Sequence, residues 1–230
     1  IDDNDNLIGL IISIENITKE LRIKNTFKRY VSESIVNQII DDKLDLGMGG
    51  SLKHVTVLFA DIRGFTAMSE KLIPSKIVEL LNNYYTDMIE IIFKNNGTLD
   101  KIVGDELMVV FGVPVKLKNT SNHAVKTAVE MQKKLNEFNK KSSLAISIGI
   151  GINSGEVISG NIGSVVRSDY TVIGDNVNIA ARLCSRAKGS EILISENTFE
   201  LINKDFKIKK MLDFAAKGKE KKVKNWKVIY

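Results

Sequence analysis

Apolar positions along the chain switch between two spacings, and the switches lay out the elements. His54 to Ala60 (HVTVLFA) is an almost unbroken apolar run, which predicts a buried strand. Ile77, Leu80, Leu81, Tyr84, Met88, Ile91 and Ile92 then recur with a 3.6-residue period, which predicts a long amphipathic helix ending at Gly97. Leu99–Val103 and Leu107–Phe111 read as two strands, and Gly104-Asp105 between them reads as a tight hairpin turn. Ser121 is placed to cap a second helix that turns Ala124, Ala128, Leu135 and Phe138 towards the core, and Ala145–Ile152 predicts another strand.

This βαββαβ order puts two helices on one face of a partly antiparallel sheet, so the fold class is α+β with a ferredoxin-like core. A C-terminal extension follows: a strand at Tyr170–Ile173, a helix at Val177–Ala187, and strands at Ile192–Ile194 and Trp226–Tyr230. Upstream, Leu7–Ile14 reads as one more strand; it is interrupted by Gly9 and Ser13 and falls far short of the ~20 residues that cross a bilayer. A strand opening the chain with no partner before it suggests a piece of a longer protein. Ile17 to Ile40 is charged and helical in pattern, a connector that could pair with its copy in a dimer. Gly47, Gly49 and Gly50 then mark the boundary of the main domain. Residues 1–18 are therefore expected to be the end of an upstream domain, 19–50 a helix and linker, and 51–230 the main domain.

Composition narrows the classes. With 43% hydrophobic and 27% charged residues over 230 positions, the chain is not disordered. A single cysteine, Cys184, excludes an internal disulfide and a multi-cysteine zinc site, and fits a reducing, cytoplasmic setting. The net charge of +5 invites a nucleic-acid reading, but it is unevenly placed. From Asn203 to Tyr230 there are ten lysines against Asp205, Asp213 and Glu220, a net +7, which leaves −2 for the first 202 residues. The basic surplus is a property of the tail, and no nucleic-acid partner is needed to explain it.

The chemistry concentrates at two aspartates. Asp61 sits where the first strand meets Arg63-Gly64-Phe65-Thr66, and the amides there could hold an anion. Asp105 lies in the hairpin turn. In a ferredoxin-like sheet these two places are adjacent, and paired carboxylates can hold hard divalent cations whose remaining positions are filled by substrate phosphates.

These residues carry a specific resemblance. Phe59-Ala60-Asp61-Ile62-Arg63-Gly64-Phe65-Thr66 resembles the first metal motif of class III nucleotidyl cyclases, and Lys101-Ile102-Val103-Gly104-Asp105 with Val110-Phe111-Gly112 resembles the second. Asp169-Tyr170-Thr171-Val172-Ile173-Gly174 and Val177-Asn178-Ile179-Ala180-Ala181-Arg182 resemble the third. The resemblance implies that Asp61, Asp105 and the carbonyl of Ile62 bind two magnesium or manganese ions, with Gly64 and Phe65 beside the substrate. It implies that Lys101 and Thr171 read the purine, that Asn178 orients the ribose, and that Arg182 stabilises charge on the α-phosphate. Lys217, in Lys217-Gly218-Lys219, matches the lysine that contacts the terminal phosphates. A lysine donates to adenine N1, whereas guanine N1 carries a proton, so the pair points to ATP and an adenylate cyclase. The Thr171 hydroxyl both donates and accepts, which leaves a guanylate or dual-specificity cyclase as the alternative. A catalytically silent dimerisation module is a further alternative, disfavoured because all the motif residues are present.

In this family the metal aspartates come from one subunit and the purine, ribose and phosphate residues from the other, which implies a homodimer with two shared sites. Leu7–Thr18 resembles the last strand of a PAS-type sensor, and Phe27–Ser32 the transducing segment before many such cyclase domains. The glycines of Gly149-Ile150-Gly151-Ile152-Asn153-Ser154-Gly155 have the wrong spacing for a dinucleotide loop. Gly104-Asp105-Glu106 shares only an outline with diguanylate cyclases.

Overall fold

The apolar run at His54–Ala60 is the middle of a longer strand, β1 (Gly49–Ile62), in a computed structural model that describes residues 49–142, 144–164, 166–215 and 222–230. Side chains alternate across a strand, so β1 feeds two cores at once. Leu58, Ala60 and Ile62 pack on one face of the sheet, and Val55, Val57 and Phe59 on the other, all with little or no solvent exposure.

On the first face lie α2 (Pro74–Lys94), entered through Pro74, and α3 (Thr120–Lys141). A proline at the start of a helix gives up no hydrogen bond that the helix could make. A single-turn helix, α1 (Phe65–Ser69), precedes them. Leu80, Tyr84, Met88, Ile91 and Ile92 of α2 are buried, the stripe the 3.6-residue period predicted. Between the two helices, β2 (Thr98–Val103) and β3 (Glu106–Phe111) form the expected hairpin, with Gly104 at φ 62. Next comes β4 (Ile148–Gly163), which pairs antiparallel with β1 from Gly49↔Asn161 to Ile62↔Ile148. The core order β2-β3-β1-β4 continues through β6 (Glu191–Ser195) and β8 (Asn225–Ile229) to β7 (Lys207–Lys210). α5 (Glu196–Leu201) follows β6.

Two local expectations need correction. Ser121 does not cap α3; the cap position is Asn119, in the left-handed region at φ 53, and makes no side-chain cap bond. Ser121 is instead buried in a hydroxyl network with Thr56 and Ser154, at 3.3 and 3.0 Å, which satisfies polar groups under the helix. The predicted strand Ala145–Ile152 begins at Ile148 and runs on to Gly163, through a glycine- and asparagine-rich stretch without apolar alternation.

The far half of β4 pairs with β5 (Ser168–Ile173), and this hairpin folds over the second face of the sheet. On that face sits α4 (Asp175–Arg186), with Ala180 and Cys184 packed against Val55, Val57 and Phe59. The glycines set aside as a dinucleotide loop have their use here. A Cβ on Gly151 would lie 2.1 Å from the Cys184 amide nitrogen and 2.4 Å from the Ala180 carbonyl oxygen, so only glycine lets α4 lie on β4.

The sensor-like strand and connector helix expected within residues 1–48 lie outside the described residues, as does Lys217. No helix among the described residues is long and apolar enough to cross a membrane.

Candidate active site

The second face gathers three groups of side chains. The first is the aspartate pair. Asp61 is the penultimate residue of β1, Asp105 occupies the β2–β3 turn, and the fold brings their carboxylates into hydrogen-bond contact. Burial pushes the Asp105 carboxyl up to about 6, and the adjacent Asp61 adds to the rise, while the amide of Ile62 works against it. Glu106 is raised too, first by burial and then by both aspartates.

Arg63, which sequence reasoning quoted only as part of a motif, ties this corner together. Its Nη2 pairs with Asp61 Oδ2, and its Nη1 lies 3.4 Å from the carbonyls of Cys184 and Ala187 at the end of α4. Asp61 and Arg63 are two residues apart, so extended geometry puts both on one side; that spacing was the available signal. The Tyr85 hydroxyl of α2 donates to the Gly104 carbonyl and pins the hairpin turn. Gly64, at φ 72, precedes α1, and Phe65 packs partly into the first core. The anion site expected from the amides here is reduced, because the Arg63 amide already donates to Ser147 O at 2.8 Å.

These groups fit a divalent cation. Two carboxylates forced together hold more negative charge than they can keep apart, and the raised Asp105 carboxyl reports it. No group of three or more His, Cys, Asp or Glu side chains is placed to hold a metal ion among the described residues, so phosphates and a carbonyl such as that of Ile62 would complete the coordination.

A pH prediction follows. Because the folded-state value lies above the ordinary 3.8, protonated Asp105 favours folding below that value, and the gain is lost as pH rises through about 6. In EDTA, thermal unfolding of Asp105→Asn is expected at a higher temperature than the parent at about pH 7.5, with the gap closing towards about pH 5. Manganese should raise the parent alone. A gap independent of pH would contradict this.

The second group is the pair expected to read the purine. The folded-over hairpin sets Thr171 of β5 against Lys101 of β2, with Lys101 Nζ 3.0 Å from Thr171 Oγ1, in the wall of a cavity of about 220 Å³. Behind them stands Asp100, which sequence reasoning missed. Its Oδ2 accepts from Thr171 Oγ1 at 2.7 Å, and its Oδ1 is 2.8 Å from Lys101 Nζ.

The third group lies on α4. Asn178 and Arg182, four apart, share a face. Asn178 is exposed, and the partly buried Arg182 has a buried Nη1 with no hydrogen-bond partner among the described residues. Asp61 contacts Arg63 and Asp105. One chain thus pairs the two aspartates with each other and Lys101 and Thr171 with Asp100, and leaves Arg182 Nη1 without a hydrogen bond among the described residues. Cys184 on the opposite side of α4 is fully buried, and burial pushes its thiol up to about 12, as befits an inert packing residue.

Residues 49–229 match the family described as the adenylate and guanylate cyclase catalytic domain. An adenylate cyclase of Anabaena cylindrica is 34% identical over 230 residues, covering 90% of this chain and 44% of that protein. The crystal structure of the guanylyl cyclase Cya2 superposes with a TM-score of 0.76 at 38% identity, covering 79% of this chain and 94% of that one. The adenylyl cyclase CyaB of P. aeruginosa superposes with a TM-score of 0.75 at 37% identity, covering 80% and 97%. The chain spans less than half the length of the curated relatives it matches.

Proposed function

Because this chain belongs to the family of adenylate and guanylate cyclase catalytic domains, we propose that it is an adenylate cyclase, converting ATP to 3′,5′-cyclic AMP and pyrophosphate at two sites shared across a homodimer. The observation that carries the choice of ATP is the Lys101–Thr171 contact of 3.0 Å at the cavity wall. An ammonium only donates, and adenine N1 accepts whereas guanine N1 is protonated.

In the reaction, the ribose 3′-oxygen attacks the α-phosphorus in line, a new O3′–P bond forms, and the bond to the β-phosphate oxygen breaks to release pyrophosphate. The 3′-hydroxyl proton leaves to water. Asp61, Asp105 and the Ile62 carbonyl would hold two magnesium or manganese ions, which when bound supply charge neutralisation and a more acidic 3′-hydroxyl. Asn178 orients the ribose. Arg182, whose Nη1 has no hydrogen-bond partner among the described residues, donates to the α-phosphate oxygens as charge builds on them. Lys217, outside the described residues, is the lysine assigned to the terminal phosphates, and Gly64 and Phe65 would border the triphosphate.

The homodimer reading is supported by the position of the aspartate pair, neither of which lines the cavity of Lys101 and Thr171 in the same chain. Residues 51–230 would be the catalytic domain, and residues 1–18 the end of an upstream sensor. The helix and linker of 19–50 would bias how the two catalytic domains meet. On this reading the enzyme works in the cytoplasm, where its ATP is, and needs no nucleic-acid partner.

The likeness to Cya2 makes GTP the competing substrate. Purified chain incubated with manganese and either ATP or GTP, with cyclic nucleotide and pyrophosphate quantified, separates the readings. Cyclic AMP as the preferred product is expected; preferred formation of cyclic GMP makes it a guanylate cyclase, and neither product makes it silent.

A further inference from the structure

Behind the purine-reading pair lies a carboxylate whose position depends on an irregularity in the sheet. Neighbours in a regular strand point to opposite faces, so Asp100 and Lys101 ought to diverge. They do not, because the β2–β3 register shifts between Leu99 and Lys101, and Asp100 is the extra residue of a bulge. A bulge re-aims side chains, and bulges concentrate next to active sites. Here it turns Asp100 inwards, to a side-chain exposure of only 4%, with one oxygen near Lys101 and the other accepting from Thr171.

We propose that Asp100 is a positioning residue that sets the purine preference of this site by fixing which way the Thr171 hydroxyl donates; the inference rests on the ATP reading above. A hydroxyl has one proton, and Thr171 Oγ1 gives it to Asp100 Oδ2 at 2.7 Å, a short bond to a charged acceptor. Its oxygen is left only to accept. One lone pair faces Lys101 Nζ at 3.0 Å, and the other is available to a base. Lys101 is held likewise: its ammonium donates to Thr171 Oγ1 and is ion-paired with Asp100 Oδ1 at 2.8 Å, and a proton is left to donate to a base. The pair therefore presents one donor and one acceptor, complementary to adenine N1 and its 6-amino group. Guanine offers a donor at N1 and an acceptor at O6, so both positions would oppose like with like. Without Asp100 the hydroxyl could rotate and donate to O6. Taken alone, a threonine discriminates weakly; the buried carboxylate behind it makes it a one-way acceptor.

The test compares kcat/KM for ATP and for GTP in the parent, Asp100→Asn, Thr171→Val and the double variant. Asp100→Asn keeps the shape but can donate to the hydroxyl instead of accepting from it. The ATP/GTP ratio is expected to fall about tenfold in each single variant, since a site rejects a wrong base through polar groups left unpaired. The double variant should fall no further than Thr171→Val, because Asp100 acts through that hydroxyl. An equal loss for both substrates in Asp100→Asn, or additive losses in the double variant, would overturn the inference, as would an unchanged ratio in Thr171→Val should the Asp100 variants fail to fold. A parent chain that prefers GTP overturns the substrate reading, and the inference with it. A parent that prefers ATP beside an unaltered Asp100→Asn ratio overturns the inference alone.

Discussion

The Arg182→Ala chain is expected to lose roughly 10²–10³ in kcat and, unusually for an active-site change, to gain stability. Both halves come from one observation: Arg182 Nη1 is buried with no hydrogen-bond partner among the described residues. A guanidinium nitrogen held out of water without an acceptor costs free energy in the resting protein, and removing it relieves that cost. On the proposed mechanism the cost is repaid when negative charge develops on the α-phosphate, for which the free donor is kept. Lysine at this position should recover little, since it replaces a planar fork of donors with a point charge. Steady-state kinetics and urea unfolding on one preparation check both parts. A variant with normal kcat, or one that is inactive because it is less stable, would contradict this account.

Substitution at Gly151 is expected to have the largest effect on folding. Its missing side chain is what lets α4 lie against β4: a Cβ there would meet the Cys184 nitrogen at 2.1 Å, the Ala180 oxygen at 2.4 Å and the Cys184 Cα at 2.7 Å. All of these belong to the helix or its backbone, so no side chain can swing aside. Either the helix lifts or the strand bends, and overpacking of this kind costs about 3 kcal/mol or more. Gly151→Ala should shift the urea midpoint strongly, and Gly151→Val should yield little folded protein. Because α4 carries Asn178 and Arg182, any folded Gly151→Ala should also lose kcat. By contrast Gly64→Ala, where an added Cβ meets nothing within 4 Å, should cost only the strain of φ 72.

Why some of this could be read from the sequence and some could not is itself physical. The α2 stripe was legible because one face is buried along its length. The Gly104-Asp105 turn was legible because a two-residue hairpin needs positive φ, which Gly104 supplies. The convergence of Asp61 and Asp105 followed from strand order alone. The length of β4 was hidden, because its burial is imposed by partners on both faces and its glycines serve α4 and β1 rather than a turn. Ser121 looked like a cap because serine caps helices, yet the packing of Thr56 and Ser154 beneath α3 claimed its hydroxyl. Asp100 was invisible for a sharper reason: alternation assigns it to the face opposite Lys101, and only the bulge overrides that.

The central claim is that each active site draws on two copies of the chain, and mixing two inactive variants tests it most directly. On the proposed reading, Asp61→Ala would remove a metal ligand from one half-site, and Asn178→Ala the ribose contact from the other. Each alone forms dimers with two defective sites. After subunit exchange about half of the dimers combine the two variants, and each of these carries one intact site and one doubly defective site, so about a quarter of the parent activity should return. Cyclic AMP formation at that level, absent from either variant alone at the same total concentration, is the predicted result. A mixture no more active than its components would contradict the account.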